Sequence, residues 1–217
     1  MCRSFYFCAT DLTLRHLFFL HQLYTYVTSD INIVMDKTFS PEVHAKIWSL
    51  SKTHELLPIH RVLLGHDGSM TNLLELISYC EVALRTIKQS VVPCPREVAD
   101  LLAVDVEEFV NERDIIIVRS RDGSPLLYAR SYIPLSRLKP AFKADLMRAD
   151  IPIGKILQRY RIEARREIID VGYLSSDCRL EELLACPGPY LWRTYNIITR
   201  GKPLIMVKEY FSASFVS

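Results

Sequence analysis

The segment 203–211 near the C-terminus carries one carboxylate among large apolar side chains. Side chains alternate between the two faces of a β-strand. As a strand, this segment therefore places Glu209 on one face with Ile205, Val207 and Phe211. Burial there would raise the pKa of its carboxyl and give a group that holds or donates a proton near neutral pH. The alternative is a glutamate that forms an ion pair with a nearby arginine.

Two arginines lie inside apolar, strand-like runs. Arg113 shares a strand face with Ile115 and Ile117, and Arg130 lies in the run LLYARSYI. A guanidinium in apolar surroundings requires an anion, and a planar carboxylate accepts two parallel hydrogen bonds from it. Both arginines are therefore candidates to bind a carboxylate ligand. The alternative is an ion pair within the protein, with these candidate partners: Glu112, Asp114 and Glu209.

Two predicted helix starts, at 67–71 and 151–154, present free backbone N–H groups. Such groups attract anions. Together with buried arginines, they indicate a pocket for a small ligand that bears a carboxylate. This is the chemistry that the residue types favour most.

Other chemistries find little support in the sequence. The motifs GxGxxG, HExxH and GxSxG and the P-loop are absent. His60 and the pair His66–Asp67 match no zinc-ligand spacing, so we predict no metal site. A run of alternating charge is typical of a solvated, salt-bridged strand face. Its members are Arg161, Glu163, Arg165, Arg166 and Glu167.

Composition narrows the class of protein. The chain has 217 residues, of which 49% are hydrophobic, and this fits one domain or a small domain with an arm. Its 27 basic and 25 acidic residues leave a net charge of +2, so we expect no nucleic-acid partner. No apolar run reaches the roughly 18 residues of a membrane span. Six dispersed cysteines without a CxxC pair predict reduced thiols and a cytoplasmic location.

Periodicity and turn signals predict helices mixed with strands, most of the strands in hairpins. Helices are predicted to begin at Ser40, Ser69 and Pro152, and others to cover 95–102, 138–148 and 180–186. Strands are predicted at 60–64, 82–92, 109–119, 126–133, 161–173, 190–199 and 203–211. The fold class is α+β, with about six strands, mostly antiparallel.

Four segments, in this order along the chain, resemble the chorismate pyruvate-lyase family. They are HRVLLGHDGSMTNLLELI (60–77), ERDIIIVRSRDGSPLLYARSYIP (112–134), ADIPIGKILQRYRIEARREI (149–168) and WRTYNIITRGKPLIMVKEYF (192–211). The sequence is most similar to the archaeal, cyanobacterial and mycobacterial branch. It is more distantly similar to the bacterial ubiquinone-pathway lyase. The likeness spans roughly residues 58 to 212.

The resemblance implies a six-stranded, mainly antiparallel sheet whose helices cover one face and form flaps over an enclosed ligand site. It implies conversion of chorismate to 4-hydroxybenzoate and pyruvate without a cofactor. Arg113 would hold the aromatic carboxylate together with the backbone of Met70, Ile153 would line the pocket, and Glu209 would face the hydroxyl end. Arg113 and Glu209 are the catalytic candidates. For the pyruvyl carboxylate of the substrate, the candidates are Arg130 and Lys155.

The resemblance also divides the chain into an N-terminal helical arm or extension, 1–57, and a lyase-like domain, 58–217. Met35 is an alternative start. The aromatic residues of the arm favour burial against the domain over membrane docking. Few basic residues precede position 58, which disfavours a DNA-reading segment. A non-catalytic sensor of aromatic carboxylates stays open, as do the use of the product (a quinone or a phenolic lipid) and the route of proton transfer.

Overall fold

Six strands form one sheet in the order β1-β2-β3-β6-β5-β4, and every neighbouring pair is antiparallel. The computed structural model describes residues 40–148 and 151–214. The strands are β1 Val82–Pro93, β2 Phe109–Arg119, β3 Pro125–Pro134, β4 Arg165–Leu174, β5 Tyr190–Thr199 and β6 Lys202–Ser212. The predicted α+β class and the six-stranded antiparallel sheet are confirmed.

Seven α-helices lie in the described residues. They are α1 Pro41–Thr53, α2 Pro58–Gly65, α3 Met70–Ser78, α4 Arg96–Leu102, α5 Pro140–Met147, α6 Ile153–Arg159 and α7 Cys178–Leu184. Ser40 caps α1 by accepting a hydrogen bond from the Val43 amide, and Ser69 caps α3 in the same way. The helix starts predicted at these two serines are therefore confirmed. Within residues 40–148 and 151–214, no helix is long and apolar enough to cross a membrane.

The hairpin between β5 and β6 has a two-residue turn, Arg200-Gly201. Both residues have positive φ angles, 49° and 74°. This backbone matches the right-handed twist of the flanking strands, and glycine adopts it without steric cost. The turn fixes the first pairs of the ladder, Thr199 with Lys202 and Ile198 with Pro203, and an irregularity between Ile197 and Ile198 shifts the pairing beyond them.

One predicted strand and one predicted strand boundary are wrong. Residues 60–64, predicted as a strand, belong to α2, because Pro58 occupies its first turn and the buried residues His60, Leu63 and Leu64 share one side of the helix. The strand predicted to begin at Arg161 begins at Arg165 instead. Arg161 has a φ of 49° and ends the turn after α6, so it cannot continue a strand.

Helices pack on both faces of the sheet, not on one face as the resemblance implies, because both faces carry buried apolar side chains. One side, called here the enclosed face, carries Arg113, Val207 and Glu209 and packs against α1, α2, α3, α5 and α6 in the main core. The other side, called here the open face, carries Asp114, Arg130 and Lys208, and α4 and α7 pack on it. Strand alternation separates the two sets of side chains.

The described part of the predicted arm belongs to the core. Helix α1 packs against β4 and buries Val43 and Ile47 with the side chains of the enclosed face. Residues 1–39 lie outside the described residues, including the predicted start at Met35 and the aromatic residues of the arm. The boundary between residues 57 and 58 stays a prediction.

Candidate active site

The enclosed face borders a cavity of about 90 Å³ between the sheet and the first residues of α3 and α6. All four residues that the sequence singled out for substrate binding line it: Met70, Arg113, Ile153 and Glu209. They come from two helices and two strands that are far apart in sequence. The structure thus brings the predicted residues together, and their chemical roles stay predictions.

Glu209 lines the cavity and belongs to a buried cluster of three side chains. The Nε of Arg193 donates to its Oε2 at 2.7 Å, and the hydroxyl of Tyr195 donates to its Oε1 at 2.9 Å. Arg193 is 0% exposed and Glu209 is 4% exposed. Of the two interpretations that the sequence left open for Glu209, the structure shows the ion pair with an arginine. That arginine was not predicted.

Helix α2 and the loop after it hold Arg193 in place. Its Nη1 donates to the carbonyl oxygens of Leu63 and His66. The C-terminal carbonyls of a helix carry partial negative charge and favour a cation. Arg193 therefore joins the helical cover to the sheet while it positions the carboxylate of Glu209.

The cluster also affects Tyr195. Burial raises the pKa of Tyr195 most, and the negative charge of Glu209 raises it further, while Arg193 and Arg166 act in the opposite direction. The phenol therefore stays protonated and serves as a hydrogen-bond donor to Glu209. The result is a fixed, preorganised acceptor in the wall of the cavity.

Arg113 occupies another part of the cavity and is almost fully buried. Its Nη1 donates to the carbonyl oxygen of Ile151 at 2.9 Å, and its Nη2 donates to Oγ1 of Thr86 at 3.1 Å. Its neighbours Glu112 and Asp114 project to the open face. Two contacts from separate elements therefore orient the guanidinium of Arg113 in the cavity.

Met70 is the first residue of α3, and Ile153 is the first residue of α6. The N–H groups in the first turn of a helix have no acceptor within that helix. Both predicted helix starts border the cavity, since Ser69, Thr71 and Gly154 line it as well. Ser69 accepts from the Asn72 amide, so the amides of Met70 and Thr71 are the ones left for an anionic group that enters beside Arg113.

The two cations proposed for the pyruvyl carboxylate do not reach this cavity. Arg130 lies on the open face and binds Asp114 through two hydrogen bonds, of 2.7 and 2.8 Å. Lys155 is exposed and is not part of the cavity wall. The assignment of Arg130 or Lys155 to the pyruvyl carboxylate is therefore wrong. The internal ion pair, which the sequence left open as the alternative for Arg130, is what the structure shows.

His60 and His66 form hydrogen bonds with nearby backbone groups. Nδ1 of the buried His60 accepts a hydrogen bond from the Leu57 amide, and Nε2 of His66 contacts the carbonyl oxygen of Ser69. Across residues 40–148 and 151–214, no group of three or more His, Cys, Asp or Glu side chains is placed to hold a metal ion. The four cysteines within these ranges are free thiols.

Comparisons with known proteins give the family. The family described as "Chorismate pyruvate-lyase Rv2949c-like" matches residues 63–217. "Putative lyase MJ0807" of Methanocaldococcus jannaschii is 36% identical over 176 residues, which cover 78% of this chain and 86% of that protein. "Chorismate pyruvate-lyase" of Mycobacterium leprae is 27% identical over 156 residues, or 71% of this chain and 74% of that protein. The chain belongs to this chorismate pyruvate-lyase family.

Solved structures confirm the fold. The effector domain of PhnF from Mycobacterium smegmatis superposes with a TM-score of 0.58 at 14% sequence identity, over 68% of this chain and 90% of that domain. At this identity the likeness shows a common fold. A second structure, described as the "ligand-binding domain of a putative GntR-family transcriptional regulator" from Bordetella bronchiseptica, superposes with a TM-score of 0.51 at 17% identity, over 60% of this chain and 85% of that chain. The same fold therefore also occurs in that ligand-binding domain.

Proposed function

We propose that the protein is a chorismate pyruvate-lyase, which eliminates pyruvate from chorismate and leaves 4-hydroxybenzoate. The observation that carries this proposal is the cavity with a buried guanidinium, Arg113, in one part of its wall and the Glu209–Tyr195 acceptor in another. An aromatic hydroxy-acid has the matching polarity, with a carboxylate opposite a hydroxyl. Membership of the lyase family and the names of its mycobacterial relatives support the same substrate class.

In this proposal Arg113 and the Met70 amide bind the ring carboxylate through charge-assisted hydrogen bonds. Ile153 covers the ring plane from the start of α6. Each oxygen of Glu209 already accepts one hydrogen bond and has a second lone pair for the ring hydroxyl. Binding at both ends fixes the ring so that the ether carbon and the leaving group are held in one orientation.

The reaction breaks the bond between the ring carbon and the ether oxygen. The neighbouring ring carbon loses a proton, and the electrons of that C–H bond complete the aromatic ring. The departing enolpyruvate takes up a proton at its methylene carbon and becomes pyruvate. Aromatisation drives the reaction, so the protein's contribution is orientation and stabilisation of the charge on the leaving oxygen.

The proton can move from the ring to the enolpyruvate by two routes: direct transfer within the substrate, and transfer through Glu209. Chorismate that is deuterated at the ring carbon that loses the proton distinguishes the two routes. Direct transfer delivers the deuterium to the methyl group of pyruvate, whereas a carboxylate relay loses it to water. Immediate reduction of the pyruvate to lactate preserves the label for mass spectrometry.

The size of the cavity predicts a gated site. Ligand pockets usually have about 300–1,000 Å³, and this cavity has about 90 Å³. The helices that cover it, α3 and α6, must therefore separate to admit chorismate and release the product. We expect slow release of 4-hydroxybenzoate and inhibition by it, visible as a burst of pyruvate before the steady state.

The test is pyruvate release from chorismate by the purified protein, with the aromatic product identified by chromatography. Equal amounts of pyruvate and 4-hydroxybenzoate are the expected result. 3-Hydroxybenzoate in place of the 4-isomer would overturn the proposed regiochemistry. The alternative function is a sensor, favoured by the fold shared with the ligand-binding domain of the Bordetella bronchiseptica protein. Tight binding of 4-hydroxybenzoate without any pyruvate release would favour the sensor over the lyase.

The proposed partner is the small molecule chorismate, with no cofactor. Both the cytoplasmic location and the use of the product in quinone or phenolic-lipid synthesis stay predictions.

A further inference from the structure

We propose that Arg166 binds a second carboxylate of the substrate, the one on the group that is eliminated, so that the site selects dicarboxylates over the monocarboxylate product. This inference rests on the proposed function and deepens it. The substrate carries two carboxylates, and an enclosed site must offer a cation to each of them. Arg113 accounts for one. Among the described residues that line the cavity, Arg166 is the other cation.

Strand alternation directs Arg166 to the enclosed face. Its ladder partner on β5 is Ile197, which lines the same cavity. Its neighbours Arg165 and Glu167 point the opposite way and pair with each other at 2.7 Å, both about half exposed. The solvated, salt-bridged face predicted for this run is therefore correct for Arg165 and Glu167. Arg166 differs from them because it faces the ligand cavity.

The guanidinium of Arg166 has a donor without a partner among the described residues. Its Nε is buried and has no hydrogen-bond partner in the part of the chain that the structure describes. Its Nη1 makes one long contact of 3.4 Å with the carbonyl oxygen of Asp67. An unsatisfied buried donor is costly, and more so on a charged group. A carboxylate in the cavity would satisfy it with the bidentate geometry that arginine favours.

Arg166 enters the cavity from a different side than Arg113. Strands β3, β6 and β5 separate β2 from β4, so the backbones that carry Arg113 and Arg166 are four strand spacings apart, roughly 19 Å. The ladder partner of Arg166 is Ile197, two residues from Tyr195 on the same face of β5. The hydroxyl of Tyr195 binds Glu209. Arg166 therefore lies on the Tyr195 side of the cavity, where we expect the ether group beside the ring hydroxyl.

This position gives Arg166 two roles. It holds the carboxylate of the enolpyruvyl group and so fixes the ether for cleavage. It also stabilises the extra negative charge of the enolpyruvate as the C–O bond breaks. After pyruvate has left, 4-hydroxybenzoate offers nothing to Arg166. The residue therefore discriminates substrate from product, whereas Arg113 binds both.

The experiment compares Arg166→Gln with two matched variants, Arg113→Gln in the same cavity and Arg165→Gln next to Arg166 on the solvated face. We measure kcat/KM for chorismate and, by calorimetry, the Kd of 4-hydroxybenzoate. Arg166→Gln should lower kcat/KM about 10- to 100-fold and change the Kd of the product less than about 2-fold. Arg113→Gln should weaken both, and Arg165→Gln should change neither.

A second ligand keeps this test independent of turnover. The stable analogue 3-(carboxymethoxy)-4-hydroxybenzoate carries both carboxylates and cannot react. The unmodified protein should bind it more tightly than 4-hydroxybenzoate, and Arg166→Gln should abolish that difference. If chorismate is not turned over but this pattern holds, the lyase proposal fails and the role of Arg166 stands.

Two results would overturn the inference: equal weakening of both ligands by Arg166→Gln, and no weakening of either. Thermal unfolding checks that each variant is folded. Should Arg166→Gln not fold, Arg166→Lys replaces it, because lysine keeps the charge and loses the bidentate geometry. It should retain part of the preference for the dicarboxylate, and full retention of binding to both ligands, or equal weakening of both, would contradict the role.

Discussion

The enclosed and the open face of the sheet each bury a carboxylate beside arginines, but they differ in whether the arginines reach water. Glu209 on the enclosed face pairs with Arg193, which is 0% exposed. Asp114 on the open face is equally buried, yet its partners Arg130 and Arg179 have side chains that are 30% and 59% exposed. A wider, partly open cleft of about 430 Å³ lies over that second cluster.

The comparison shows that the burial of the arginine determines how much its ion pair contributes to stability. Removing the partner of a fully buried charge leaves that charge with no water to replace it. An exposed guanidinium can be solvated instead, so its ion pair contributes less to stability. The enclosed pair is therefore suited to hold a ligand group in one geometry, and the open pair to join β2, β3 and α7.

The largest expected effect is a difference in activity between variants of two arginines on adjacent strands. Arg113→Gln removes the proposed carboxylate-binding group on the enclosed face, so kcat/KM for chorismate should fall by a factor of about 100 or more, the equivalent of two charge-assisted hydrogen bonds. Arg130→Gln, on the open face, should leave kcat/KM within about 3-fold. The measurement is coupled pyruvate release at several chorismate concentrations.

The same two variants can also contradict this prediction. A loss of activity in Arg130→Gln as large as in Arg113→Gln, in a folded protein, would place the reaction on the open face.

The next effect concerns the stability of the enclosed cluster. Arg193→Met leaves Glu209 as a buried charge without its cation, and we expect a loss of about 3–5 kcal/mol in the free energy of unfolding. Adding Glu209→Gln should recover part of this loss, because glutamine is neutral and still accepts the hydrogen bond from Tyr195. Urea unfolding of the single and double variants measures the difference. A double variant less stable than Arg193→Met would show that charge burial is not the cause.

Asp114→Asn gives the corresponding and smaller effect on the open face. Arg130 and Arg179 lose a shared acceptor but can be solvated, so we expect a loss of about 1–3 kcal/mol. Turnover should stay unchanged, because Asp114 lies on the other side of the sheet from the cavity. The same urea series, together with pyruvate release, tests both parts. A cost equal to that of Arg193→Met would remove the distinction between the two faces.

The smallest effect is a difference in pH dependence. Burial lowers the pKa of His60, in the helical cover of the enclosed face, below its ordinary value of 6.5. Because the folded state favours the neutral ring, the stability linked to His60 is present above about pH 6.5 and is lost as the pH falls below it. His60→Gln should flatten the pH dependence of unfolding between about pH 7 and 5.5.

On the open face the relevant group is Glu112. Its burial raises the pKa, but hydrogen bonds from Lys88 and Tyr132 and the charge of Arg130 outweigh burial and hold the pKa below 4.5. Its stabilising contribution is therefore present above about pH 4.5 and is lost as the pH falls through the lowered pKa. Glu112→Gln should flatten the pH dependence only in that lower range. Overlapping pH ranges for the two variants would contradict this separation.

Several features of the molecule follow from local sequence and needed no tertiary information. The alternation of β6 placed Glu209 and Val207 on one face because the side-chain period of a strand is two. Ser40 and Ser69 marked helix starts because their side chains satisfy free amides. The four family segments extended these local patterns to the whole domain, and Met70, Arg113, Ile153 and Glu209 do line one cavity.

Other features were decided by tertiary structure. If the pairing of β5 and β6 were regular from the turn at Arg200-Gly201 onward, Glu209 would face Trp192. The irregularity between Ile197 and Ile198 shifts that register by one residue, and Arg193 faces Glu209 instead. Residues 60–64 end in the apolar run Val-Leu-Leu, which is compatible with a strand or a buried helix. They fold as a helix because Leu63 and Leu64 bury one side of it in the core.

The sequence by itself therefore determined the fold class, the family and the residue types of the site, because these depend on local periodicity and on motifs within single elements. Which arginine meets which anion was decided only when the sheet was assembled. Arg130 binds Asp114, Arg193 binds Glu209, and Arg166 faces the cavity. Those pairings depend on strand order and register across the sheet, and the charges alone are compatible with several of them.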